Sequence, residues 1–219
     1  MIPKIDILTL FPEMFMGFLN TSIIKRAIDN KLVEINIYNF REYSTDKHKR
    51  VDDYPYGGGA GMILMCEPIY NAIQDLKKEN TKVIMLTPSG ITFDQKMAIK
   101  FSKMEHIILL CGHYEGFDER IKSFVDMEVS IGNYVLTGGE IPSMAITDAV
   151  VRLIPGVISS DSLSSESFND DKSDYPNYTR QPVFKGMSVP EVLLSGHHKN
   201  IEEYRERERK NLLGGEDNE

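Results

Sequence analysis

Three short apolar runs, each ending in a loop that carries glycine, constrain this chain more than any other feature. The loops are Met85-Leu-Thr-Pro-Ser-Gly90, Leu110-Cys-Gly-His-Tyr-Glu-Gly-Phe-Asp-Glu-Arg120 and Ser130-Ile-Gly-Asn-Tyr-Val-Leu-Thr-Gly-Gly-Glu-Ile-Pro142. In the third, Gly132, Gly138 and Gly139 let the backbone take φ > 0 or approach a ligand where a Cβ would clash, and Ile131, Val135 and Leu136 fall between them. Such a loop offers N–H and C=O groups at the rim of an apolar slot, which suits a flat heterocycle better than a phosphate. One Gly-Gly pair alone is a plain surface turn. Three such loops after three strands are expected at one edge of one sheet, where ligands of open α/β sheets sit.

The flanking pattern supports that sheet. Strands are predicted over Lys4–Leu10, Leu32–Tyr38, Lys82–Leu86, Ile107–Leu110 and Glu128–Ile131. Helices are predicted over Glu13–Asn30, Pro68–Lys78, Phe93–Lys103, Asp118–Val125 and Pro142–Ile154, from apolar residues at helical spacing. This alternation gives an α/β fold with a mostly parallel sheet covered by helices on both faces. Residues 1–158 form that domain. Residues 159–174, rich in Ser and Asp and almost without core residues, read as a flexible linker. Residues 175–219 form a small helical domain whose charged helix, Ile201 to about Leu212, places acids and bases three and four apart. Between Phe40 and Gly61 the periodicity stops, over a length unusual for a connector. Its Gly57-Gly-Gly-Ala-Gly61 is neither a Walker A nor a dinucleotide fingerprint; it either shapes the site or merely turns the chain.

With 219 residues, 41% of them hydrophobic, the chain can bury a core. No apolar run approaches the roughly 20 residues that span a bilayer, and Met1-Ile-Pro-Lys4 leads directly into a strand, so a cytoplasmic protein without membrane partners is expected. Cys66 and Cys111 are read as buried reduced thiols, and no C-x-x-C or H-E-x-x-H spacing points to a metal. The net charge of −8 argues against nucleic acid, yet Lys25-Arg26, Lys47-His-Lys-Arg50 and His197-His-Lys199 can form local basic patches, or simply solvated faces. There is no G-x-S-x-G, and no G-x-G-x-x-G follows a strand. An adenosine-containing cofactor held by backbone from three loops, and carrying the reactive group itself, fits what remains.

The second and third loops, together with Val51-Asp-Asp-Tyr-Pro-Tyr-Gly-Gly-Gly-Ala-Gly-Met62, Asp148-Ala-Val-Val-Arg-Leu-Ile-Pro-Gly-Val157, Tyr178-Thr-Arg180 and Val192-Leu-Leu-Ser-Gly-His197, resemble the bacterial tRNA (guanine-N1)-methyltransferases, the TrmD family. The resemblance covers nearly the whole chain in one order. It implies a SPOUT-type fold with a C-terminal trefoil knot formed by the three loops, acting as a homodimer. It implies S-adenosyl-L-methionine as methyl donor and, as substrate, the guanosine 3′ to the anticodon (position 37) in the anticodon loop of tRNA. Leu86, Pro88, Gly112, Glu115, Ile131, Gly132, Asn133, Tyr134, Val135, Leu136, Gly139 and Pro142 would then surround the cofactor, and Arg152 and Glu166 would act on the guanine. Read without the resemblance, Arg152 is a partner for Asp148 one turn earlier. The alternatives are a methyltransferase of this fold acting on ribosomal RNA or another tRNA position, and a module that binds RNA or an adenosine ligand without turnover. The sequence leaves open whether a divalent ion such as Mg assists. It departs from the family at Asn133, where Asp is usual, at Ser164-Ser-Glu-Ser-Phe168, where Asp-Ser-Phe is usual, and in a shorter C-terminus.

Overall fold

The computed structural model describes residues 2–159 and 173–209. The chain divides into two compact units, Met1–Ile158 and Ser159–Glu219. Strands of the first unit are β1 (Lys4–Thr9), β2 (Glu34–Asn39), β3 (Asp52–Asp53), β4 (Ile63–Leu64), β5 (Thr81–Thr92), β6 (His106–Cys111) and β7 (Met127–Ser130). Five of them form one sheet in the order β2-β1-β6-β5-β7, and every neighbouring pair is parallel. Its helices are α1 (Met16–Leu19), α2 (Ser22–Asp29), α3 (Cys66–Leu76), α4 (Gln95–Phe101) and α5 (Glu140–Val151).

Alternation along the strands builds a core on each face. Ile5 and Ile7, Ile84 and Leu86, and Ile107, Leu109 and Cys111 point one way, against Ile24 and Ala27 of α2, Phe101 of α4 and Ile146 and Val150 of α5. Leu8, Val83 and Met85, and Ile108 and Leu110 point the other way, against Ile69, Ala72 and Ile73 of α3. Fully burying each such side chain contributes roughly 1.5–3 kcal/mol, so the sheet is held from both sides. At the amino edge, buried Asp6 accepts from Asn36 at 3.0 Å and pairs with Lys4 and with His106 Nε2, both at 2.9 Å; His106 Nδ1 meets the Thr81 hydroxyl at 2.7 Å.

Four elements differ from the sequence expectation. The predicted helix Glu13–Asn30 is broken into a 3₁₀ turn (Pro12–Phe15), α1 and α2. Asn20 and Thr21 donate from their side chains to the carbonyls of Met16 and Gly17, both at 2.7 Å, and Ser22 takes φ 52°, so the chain turns there instead of continuing. Strand β5 is far longer than Lys82–Leu86, because it resumes beyond a bulge between Leu86 and Ile91. The predicted helix Asp118–Val125 is a 3₁₀ segment, Glu119–Phe124. In the second unit, β8 (Val183–Phe184) and β9 (Met187–Ser188) form a hairpin where the sequence reading names no strand; Lys185 and Gly186, at φ 48° and 82°, supply its left-handed turn. Helices α6 (Glu191–Leu194) and α7 (His198–Glu208) follow.

Helix α5 carries a buried hydroxyl, Thr147, that finds no hydrogen-bond partner among the described residues. An unpaired buried hydroxyl costs about 1–3 kcal/mol, and valine has nearly the shape of threonine. Thr147→Val is therefore expected to stabilise the fold by roughly 1 kcal/mol, read as a raised urea midpoint with unchanged slope. A lowered midpoint would mean that the hydroxyl is bonded.

Candidate functional site

The carboxyl edge of the sheet is built from the three loops foreseen in the sequence. The β5 bulge lifts Thr87, Pro88 and Ser89 out of the ladder, and the strand re-enters it at Ile91 beside Val129. Gly90 makes that return feasible, since a Cβ there would stand 2.4 Å from the Val129 nitrogen. After β6 the chain turns through Gly112–Asp118, with Tyr114 in the left-handed region at φ 57° and Gly116 at 109°. A bulky residue at positive φ is uncommon and marks a loop held in shape by its neighbours. Those neighbours are Met62 and Leu64: the carbonyl of Met62 accepts from Glu115 at 3.0 Å, and Leu64 exchanges backbone bonds with Gly116 and Asp118 at 2.8 and 2.9 Å. Gly61, at φ 80°, lies so close to Glu115 that its virtual Cβ meets that side chain at 2.5 Å. The glycine-rich stretch thus does more than turn the chain; its end buttresses the second loop.

The third loop returns over the second. Gly139 donates to the Gly112 carbonyl at 2.8 Å, and a Cβ on Gly139 would lie 2.6 Å from Cys111 Cα and 2.7 Å from the Gly112 nitrogen. Here glycine permits backbone to meet backbone. Its neighbour Glu140, first residue of α5, is only 2% exposed and accepts from the Thr9 hydroxyl at 2.7 Å. Negative charge at a helix N-terminus is favourable.

Between the loops lies a cavity of about 390 Å³. Leu86 and Pro88 from β5, Gly112 and Glu115 from the second loop, and Ile131, Gly132, Tyr134, Val135, Leu136 and Gly139 from the third all line it, as does Pro142 on the first turn of α5. Asn133 is exposed and does not line it. Arg152 follows α5 as its C-terminal cap, half-buried and away from this lining. Glu166 lies outside the described residues. Lining residues that the sequence reading did not single out include His113, Tyr114, Phe117 and Thr137. Each sits inside a motif already quoted, but no periodicity says which side of a loop faces inward.

The rim is charged. Asp118 is held bidentately by Arg120, at 2.9 and 2.7 Å, which keeps its carboxyl well below the usual range. Lys122 pairs with Glu119 at 2.8 Å. Glu115, among the described residues, makes no ion pair. The basic patch Lys47–Arg50 is largely spent within its own loop: Arg50 pairs with Asp46, and Lys49 donates to the carbonyls of Glu42 and Ser44. Among the described residues no cluster of three or more His, Cys, Asp or Glu could hold a metal ion, and no helix is long and apolar enough to cross a membrane.

Both cysteines are free, as expected, but only Cys111 is fully buried; Cys66 opens α3 and is half-buried. Burial and then the Asp118 carboxylate push the Cys66 thiol up to about 11. The folded protein therefore keeps a proton that the unfolded chain releases, and this contribution to stability is lost as pH rises from about 9 towards 11. Alkylation of Cys66 by iodoacetamide at pH 8 is expected to run about 100-fold slower than for an unperturbed cysteine, because the thiolate is the reactive form. Peptide mass mapping against the urea-unfolded protein measures this; equal rates would remove the assigned environment.

A parallel sheet whose strands end in three glycine-framed loops around one cleft defines an α/β protein with its ligand site at the carboxyl edge of the sheet. The chain belongs to the family described as tRNA (Guanine-1)-methyltransferase TrmD, whose family model matches residues 3–213. It is 60% identical over 202 residues to the tRNA (guanine-N(1)-)-methyltransferase of Malacoplasma penetrans, covering 92% of this chain and 89% of that protein. The protein of the same name from Ureaplasma urealyticum is 60% identical over 206 residues, covering 94% and 90%, and that of Staphylococcus aureus is 55% identical over 205 residues, covering 92% and 84%.

Proposed function

We propose that the protein transfers a methyl group from S-adenosyl-L-methionine to N1 of the guanosine 3′ to the anticodon in tRNA. The observation that carries this reading is the coincidence of family membership with the cavity: the residues that resemblance assigns to the cofactor, Asn133 excepted, converge on one cleft. The cleft fits that cofactor. Its volume lies in the range of roughly 300–1,000 Å³ found for small-molecule sites. Backbone edges beside Leu86, Ile131 and Leu136 suit a flat base, and the unpaired carboxylate of Glu115 suits an ammonium group. When bound, S-adenosyl-L-methionine supplies a methyl group already activated by the sulfonium.

The chain itself has to align the acceptor and manage one proton. Glu166 takes the proton from guanine N1. As it does so negative charge builds on O6, where the guanidinium of Arg152 stabilises it. Arg152 does not line the cleft of its own unit, which supports a homodimer in which residues of two copies complete each site. The trefoil knot belongs to the same reading, supported by the close passage of Gly138–Gly139 over Cys111–Gly112. The target base lies in a loop, where bases can be splayed out and read on their edges.

The test is incubation with labelled S-adenosylmethionine and total RNA, followed by mapping of the modified nucleotide. Label at N1 of guanosine 37 in tRNA is expected, with none in a transcript carrying adenosine there. Label in ribosomal RNA alone, or cofactor binding without labelled RNA, would replace this reading with one of its rivals.

A further inference from the structure

His113 stands on the second loop with its ring edge-on to Tyr114, centroids 5.0 Å apart, and tilted against Phe11 at 4.8 Å. These contacts fix the plane of the imidazole. Its Nδ1 is buried and has no hydrogen-bond partner among the described residues. Across from it, Glu140 Oε1 is taken by the Thr9 hydroxyl, whose own oxygen accepts from the Phe11 N–H at 2.9 Å. That hydroxyl therefore commits its single proton to Glu140. The second carboxylate oxygen approaches His113 at Gly138: a Cβ on this glycine would lie 2.4 Å from Glu140 Oε2 and 2.8 Å from His113 Nδ1. A buried acceptor and an unpartnered buried ring nitrogen thus flank one glycine hydrogen. Both atoms lie within 2.8 Å of the one point where a Cβ on Gly138 would stand.

The other ring nitrogen is placed differently. Nε2 is neither bonded nor among the buried unpartnered atoms, and His113 lines the cavity, so Nε2 is the end of the ring that opens on it. We infer that Glu140 is a positioning residue that accepts the Nδ1 proton of His113 and so holds Nε2 bare, as an acceptor for an O–H or N–H of the bound cofactor. The partner of one imidazole nitrogen decides the proton on the other. Thr9, Glu140 and His113 then form one relay from the end of β1 through α5 to the cleft. Gly138 is glycine because the relay passes across it. The inference rests on the cofactor reading for its ligand but not for the relay itself.

Nitrogen-15 spectra of the histidine-labelled, ligand-free protein test the relay, with the His113 signals assigned by their loss in His113→Gln. Protonated Nδ1 and bare Nε2 are expected. In Glu140→Gln the side-chain amide keeps an acceptor for Thr9 and can turn its NH₂ to the ring, so the proton moves to Nε2. Calorimetry with S-adenosylmethionine should show about tenfold weaker binding in Glu140→Gln and in His113→Leu, as expected for one lost hydrogen bond. His113→Gln, which can place an amide oxygen near the Nε2 position, should retain most of the affinity. A parallel loss for 5′-methylthioadenosine assigns the contact to the adenosine part, a ribose hydroxyl or the adenine amino group; a loss confined to S-adenosylmethionine assigns it to the ammonium. An Nε2-protonated ring in the unmodified protein overturns the proposal whether or not the variants fold. An unchanged tautomer in folded Glu140→Gln does the same. The expected tautomers without any cofactor binding would leave the relay standing and remove the cofactor reading.

Discussion

Glu166→Gln is expected to slow methyl transfer in single-turnover assays by at least about 100-fold while leaving cofactor affinity intact, because a positioned base contributes roughly 10²–10⁴-fold. The methyl group arrives activated, so the step left to the protein is removal of the N1 proton. Glutamine preserves the size of the side chain and cannot take that proton. Glu166→Asp should keep much of the activity, since aspartate carries the same carboxylate on a side chain one methylene shorter. The assignment rests on resemblance and on chemistry, as the residue lies outside the described part of the chain. Asp161, Asp170, Asp171 and Asp174 are the competing carboxylates. Normal turnover in Glu166→Gln with a dead Asp170→Asn or Asp174→Asn would shift the base along the chain and end the proposed register.

Gly139→Val is expected to abolish cofactor binding, with affinity down by more than about 100-fold, and to destabilise the protein as well. Sequence alone gives this glycine the task of admitting a ligand. Its surroundings assign another: the first atom of any side chain would strike the backbone of Cys111 and Gly112. Neither atom belongs to a side chain that can swing away, so α5 and the end of β6 must separate. Overpacking of this kind costs roughly 1–3 kcal/mol, and more where only backbone can yield. The cleft is framed by both segments and loses its shape with them. Calorimetry for binding and urea unfolding for stability measure the two effects. A stable, normally binding variant would show that the junction tolerates a side chain.

Which parts were legible follows from what each signal measures. The three loops, the alternating strands and the two-faced core were readable because burial on both faces of a parallel sheet leaves apolar runs of fixed period, as in Ile107–Leu110. The break at Asn20–Ser22 was not readable, because it depends on side chains capturing carbonyls, a choice that hydrophobic spacing does not record. The β5 bulge escaped for a related reason: Pro88 and Gly90 announce an interruption, but only the pairing of Ile91 with Val129 shows that the strand resumes. Within the cleft, motif membership located the loops and left inward and outward positions unsorted. Asn133 and Tyr134 are neighbours in sequence, yet only the second faces the cavity.

The bond from Gly139 to Gly112 has a consequence in time. The two residues are separated by all of β7, which pairs with β5. In vectorial synthesis the residue that closes this contact is made after every strand of the five-stranded sheet. A chain growing on the ribosome therefore completes most of its sheet while it still has no cleft. The site comes into being only when α5 has emerged far enough to seat Gly139 against the end of β6. Truncated chains that stop short of this helix lack Pro142 of the cleft lining and the Ile146 and Val150 that pack on the sheet.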